Sequence, residues 1–146
     1  MVLRRKAREF ALQMLYQWEV SQQKSAQVES VFWKGARAEA ATRKFANELF
    51  TGAAAQAAEL DKVIQQHAKN WKLERIAMID RCILRLGIYE LRAAGANTPA
   101  KVVINEAIEL AKKFSSEDSA PFINGILDAV HKEAENGKGK REEGAE

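Results

Sequence analysis

The chain carries one cysteine, two prolines and two histidines in 146 residues, and no apolar run in it approaches the length of a membrane span. A single thiol, Cys82, closes no bridge within the chain, which excludes a disulfide-stapled secreted scaffold. Residues 10–15 follow a basic start as the core of a leader peptide would, but Glu9, Gln13, Gln17 and Glu19 interrupt it. His67 and His131 lie far apart, with no cysteine, histidine or carboxylate at ligand spacing, so no metal site is expected. Few prolines and only eight glycines leave long stretches without breakers, which favours helix over strands and turns. The expectation is a cytoplasmic, all-α chain forming one domain.

Apolar residues recur at helical spacing almost throughout. Ala7, Phe10, Ala11, Met14 and Trp18 make one stripe of a first helix; Arg5, Arg8, Leu12 and Tyr16 make a neighbouring stripe, basic at its start and aromatic at its end. A second helix is expected within 26–34, with Val28, Val31 and Phe32 inward. A third spans about 38–58 with Ala41, Phe45, Leu49 and Gly52 on one face, and a fourth carries Leu60, Val63, Ile64 and His67. Residues 76–91 are apolar on several sides, as in the central helix of a bundle. Thr98 as N-cap and Pro99 at the first helical position open a sixth helix running to Phe114. A cluster at 115–119 then caps a seventh, which has Pro121 in its first turn and Phe122, Ile123, Ile126, Leu127 and Val130 inward. The fold class is therefore all-α: a compact bundle of about seven helices, arranged as two small sub-bundles sharing the central helix. Residues 1–134 form the domain. Residues 135–146, charged and without large apolar side chains, are expected to be a disordered tail.

No catalytic constellation is visible. Cys82 lies among Ile79, Ile83 and Leu86, where a thiol packs as a small hydrophobe. No glycine-rich loop precedes a helix in a way that cradles a nucleotide, and Glu106 with Glu109 reads as a solvated helix face without a basic partner. Neither enzyme activity nor a cofactor is expected.

The net charge of +3 conceals an uneven distribution, because Arg4, Arg5, Lys6 and Arg8 place four cations in five positions. Cations at a helix N-terminus oppose the macrodipole, so their presence points to a benefit from elsewhere, most simply contact with phosphate. Exposed aromatic rings turn such a patch into a reader of single strands, since unstacked bases pack on them. Tyr16 and Phe122 are the candidates, with core packing the competing role for both.

Three blocks carry a resemblance: residues 4–19, RRKAREFALQMLYQWE; residues 80–91, DRCILRLGIYEL; and Pro99 followed by VINEAIELAKKF (103–114) and FINGILD (122–128). In order and spacing they resemble the NusB family of bacterial transcription antitermination factors over about residues 3–132. That resemblance implies a seven-helix fold, no catalysis and no cofactor. It implies binding to the boxA element of ribosomal RNA operon transcripts as a heterodimer with NusE, a small-subunit ribosomal protein. It also implies a place in the RNA polymerase antitermination complex with other Nus factors, and, for some members, a homodimer in the absence of NusE. Carried onto this chain, it gives Arg4, Arg5, Lys6, Arg8, Tyr16, Asp118 and Phe122 as RNA-binding residues, and Tyr16, Asp80 and Arg81 at the NusE side. Asn105 and Glu106 are expected to serve internal hydrogen bonding, and Gly87 and Gly125 close helix approach. The alternative is a protein-only helical adaptor whose arginines pair with acids of partner proteins.

Overall fold

The computed structural model describes residues 1–93 and 98–144, with side chains up to Asn136. Among these residues there are seven α-helices, one short 3-10 turn at Leu73–Arg75 and no strand: α1 (Arg4–Ser21), α2 (Ser25–Gly35), α3 (Ala40–Ala55), α4 (Ala57–His67), α5 (Met78–Arg92), α6 (Ala100–Phe114) and α7 (Ser119–Gly144). The expected connection at 95–97 lies outside the described residues.

Helix α5 is central, packing against α1, α3, α4, α6 and α7. Residues 82–88 are buried without interruption, including Arg85, which fits a helix with no solvent face along that stretch. Helices α1, α2 and α3 cluster on one side of it and α6 with α7 on the other, the shared-helix arrangement expected from the pattern. Burial pushes the Cys82 thiol up to about 12, so this cysteine packs as an inert core residue.

The α1 stripe reads as expected, with Ala7, Phe10, Ala11 and Met14 buried and Trp18 half-buried. On α2 the inward set is rotated: Val28 is buried, but Val31 is 56% exposed and Trp33 takes the interior place. The reason is a local aromatic cluster. Phe10, Phe32 and Trp33 pack edge to face with centroids 4.9–5.7 Å apart, and Trp33 Nε1 donates to Asn47 Oδ1 of α3 at 2.7 Å. On α3, Ala41 is exposed and Ala46, Leu49, Phe50 and Ala53 are buried.

Two helix ends differ from expectation. Helix α6 begins at Ala100, with Pro99 as its N-cap and no side-chain cap; Thr98 accepts from Arg4 Nη1 instead. Helix α7 continues to Gly144, where a disordered tail from 135 was expected. Extending an existing helix needs no new nucleus, and lysine, arginine and glutamate have good helix propensity, so the run continues despite Gly137 and Gly139. Residues 145 and 146 lie outside the described set.

The glycines also separate. A Cβ at Gly87 would meet Leu127 Cδ1 at 2.9 Å, so this glycine does permit close approach of α5 and α7. At Gly125 nothing lies within 4 Å, and the expected close approach is absent. A Cβ at Gly52 would overlap the Tyr89 ring at 2.2 Å, which makes Gly52 the tighter constraint. Gly52→Ala should therefore lower stability by about 1–3 kcal/mol through overpacking. Gly125→Ala, in open space, should raise it by up to about 1 kcal/mol through helix propensity. Urea denaturation of the two variants checks the opposite signs.

Candidate nucleic-acid interface

The four cations of α1 do not share one fate. Arg8 is 4% exposed and forms a bidentate pair with Glu90 of α5, Nε to Oε1 at 2.7 Å and Nη2 to Oε2 at 2.9 Å. Its guanidinium also lies 5.7 Å from the Phe45 ring centroid. Arg8 is thus committed to the interior, a correction to its expected place among the outward cations. Arg8 precedes Leu12 by four residues and Leu15 by seven, so it falls on the buried side of the helix.

Arg4, Arg5 and Lys6 face solvent. Arg4 Nη1 donates to Thr98 Oγ1 at 3.3 Å. Arg5 makes a fork with Glu106 of α6, Nε to Oε2 at 3.0 Å and Nη2 to Oε1 at 2.9 Å. That hydrogen bond holds the Glu106 carboxyl below its ordinary pKa and raises that of Arg5. Lys6 Nζ lies 3.5 Å from Glu9 Oε2 and 5.1 Å from the Phe10 ring centroid. Glu9, itself buried, also accepts from Lys113 Nζ at 2.8 Å. Lys113 thus joins the cluster from α6, a contribution that pattern reading missed. Glu106, expected to serve internal packing, is instead the partner of Arg5, while Asn105 is exposed.

A second region forms where α5 and α7 begin. Asp80, Asp118 and Phe122 line one cleft of about 380 Å³, together with Ser119, Trp71 and Arg75. Asp80 is 7% exposed; its Oδ2 accepts from Ser119 Oγ at 2.9 Å and its Oδ1 is buried with no hydrogen-bond partner. Asp118 is exposed and Phe122 half-buried. Trp71 and Arg75 escaped the sequence reading, since they lie outside the periodic segments. The available signal was a lone tryptophan in the polar run Lys69-Asn70-Trp71-Lys72.

The expected partner set is not brought together. Tyr16 is 41% exposed on α1 and does not line the cleft that holds Asp80. Arg81 turns inward, its Nη2 at 3.3 Å from Asp61 Oδ2 and its Nε buried without a partner. Asp61 already engages Arg85 at 2.7 and 2.8 Å, and Arg81 is drawn to the same carboxylate. Of the three, Tyr16 alone presents a broad surface.

These features define a class: a small all-helical protein built round one buried central helix, with an outward basic start on α1 and an acidic, aromatic cleft at the head of α7. The NusB family model matches residues 5–132. The transcription antitermination protein NusB of Koribacter versatilis is 44% identical over 139 residues, covering 94% of each chain. Among solved structures, T. maritima NusB superposes with a TM-score of 0.80 at 31% identity, over 91% of this chain and 94% of that one. A crystal structure of antitermination factors NusB and NusE in complex with dsRNA gives a TM-score of 0.75 at 29% identity, over 88% and 96%. The chain belongs to the NusB family.

Removing one partner from a buried ion pair strands the other, at about 3–5 kcal/mol. Arg8→Ala should therefore lower stability by about that amount. Arg5→Ala, whose side chain is 66% exposed, should stay within about 0.5 kcal/mol of the parent. Equal urea midpoints for the two variants would contradict the sorting of these arginines.

Proposed function

We propose that this chain is a transcription antitermination factor that binds boxA-bearing ribosomal RNA transcripts together with NusE, acting in the cytoplasm within the RNA polymerase antitermination complex. Its role is binding rather than catalysis. One observation carries this reading above the others: nearly the whole chain aligns with antitermination proteins, and the fold is shared with a factor solved in complex with NusE and RNA.

Arg4, Arg5 and Lys6 supply the phosphate contacts. Such contacts position a strand without specifying its sequence. The fork between Arg5 and Glu106 is exposed on the arginine side, so a phosphate can replace the carboxylate at the same donor pair. Glu106 and Glu9 hold the basic side chains in place and restrain non-specific attraction. Phe122 offers a ring to an unstacked base. Asp118 opposes the polyanion electrostatically and contributes to selection more than to affinity. Tyr16, exposed further along α1, is the residue assigned to contact with NusE.

The test is fluorescence anisotropy on a labelled boxA RNA and a scrambled control, with and without NusE, across a salt series. Selective binding enhanced by NusE is expected. Equal binding to both RNAs, unchanged by NusE, would overturn the reading and favour a protein-only adaptor. Three phosphate contacts give a log–log salt slope of roughly −2, at about −0.7 per contact on single-stranded RNA. Arg5→Ala should weaken binding to both RNAs alike and reduce the slope by about 0.7. Glu106→Gln, which releases Arg5 from its fork, should tighten binding to both. If Glu106→Gln weakened binding, the proposed exchange of carboxylate for phosphate would be wrong.

A further inference from the structure

Trp71 is the largest side chain on the surface that the reading above leaves without a role. It is 53% exposed, although a tryptophan carries an apolar surface that folding ordinarily removes from water. It is not on a loose segment. Gln65 Nε2 donates to the Trp71 carbonyl at 2.9 Å and Gln65 Oε1 accepts from Leu73 N–H at 2.8 Å, while Trp71 N–H donates to the Ala68 carbonyl at 3.1 Å. The turn that carries the ring is therefore pinned on both sides of it, and the exposure of the ring belongs to the fold.

The ring lines the same cleft as Phe122, and the chemistry of that cleft narrows what it takes. Its volume of about 380 Å³ is of small-molecule size. Asp80 and Asp118 both line it, so a phosphate is repelled from the interior. A flat group with N–H donors on its edge is suited to it. The buried Asp80 Oδ1 has no donor, and an acceptor left in that state costs free energy that an incoming N–H recovers. Arg75, exposed on the lining, supplies a cation for the phosphate attached to that flat group. An aromatic surface, carboxylate acceptors within and a cation beside them match a nucleotide whose base has left its stack.

We propose that the cleft between Trp71 and Phe122 seats one unstacked base of the bound RNA strand, with Trp71 as the stacking platform and Asp80 and Asp118 accepting from the base edge. This rests on the RNA-binding reading and extends it to residues which that reading does not use. The site favours bases with an exocyclic amino group (adenine, guanine and cytosine) over uracil.

The experiment compares the full chain with Trp71→Ala and Trp71→Phe, each with NusE, on a single-stranded boxA oligonucleotide and on the duplex of the same sequence. Affinity is read by anisotropy and stacking by tryptophan emission. Trp71→Ala should lose about 5- to 100-fold in affinity for the single strand, the range found for removing one base-stacking ring. Its salt slope should stay unchanged, because no phosphate contact is removed. Trp71→Phe should restore most of the affinity. The single strand should quench parent emission and the duplex should not, and the quenched component should be absent from Trp71→Phe. If Trp71→Ala keeps its helicity and binds the single strand as tightly as the parent, or if the RNA leaves the emission unaltered, the proposal fails and the RNA-binding reading stands. If the parent chain binds neither RNA, both fall.

Discussion

Taking a guanidinium out of water costs several kcal/mol, and it is tolerated only where a well-placed carboxylate meets it. At Arg8 the carboxylate is Glu90, contributed by the central helix α5, and two short hydrogen bonds fix the angle at which α1 lies on it. Once that angle is set, the rotation of α1 is set too. Arg4, Arg5 and Lys6 point away from the core, Glu9 is brought to Lys113, and Arg5 is brought to Glu106. The basic surface is thus ordered by the one cation that does not belong to it. The same geometry explains how cations sit at the start of a helix whose dipole disfavours them, since each of Arg5, Lys6 and Arg8 has a carboxylate beside it.

The central helix governs the second region by the same means. Arg85, fully buried on α5, binds Asp61 of α4 and Glu19 of α1, at 2.7 and 3.2 Å. Burial works against its charge, but the hydrogen bonds and charge of Asp61 outweigh that effect and raise its pKa. A few residues earlier on the same helix, Asp80 accepts from Ser119 at the head of α7. The basic start of α1 and the cleft at α7 are therefore positioned by one buried helix, which keeps their separation constant. A strand held at its phosphates by α1 and at one base by the cleft needs that constancy, because neither contact alone confers both affinity and selection.

Much of the fold was legible in the sequence because helical periodicity is local. The seven helices, the apolar α1 stripe and the many-sided burial of residues 76–91 follow from spacing alone. What pattern could not give are pairings between distant residues: Arg5 with Glu106, Arg8 with Glu90 and Lys113 with Glu9 are 101, 82 and 104 positions apart. Charge density named the cluster but not which cation leaves it, although the spacing of Arg8 from Leu12 and Leu15 held that information. Trp33 displaced Val31 from the core because a three-ring cluster outweighs a single valine. Trp71 was missed for the opposite reason: it lies in a polar turn, and only the fold brings it beside Phe122.

The central claim is that one continuous face, made by the start of α1, the turn at residues 68–75 and the start of α7, carries the RNA. Amide hydrogen exchange on the complex with NusE, measured with and without boxA RNA, tests it most directly. The account predicts slowed exchange over residues 4–8, 68–75 and 115–122 when RNA is added, with α2 and the exposed side of α3 unchanged. Protection confined to α2 and α3, with those three segments exchanging as before, would contradict it.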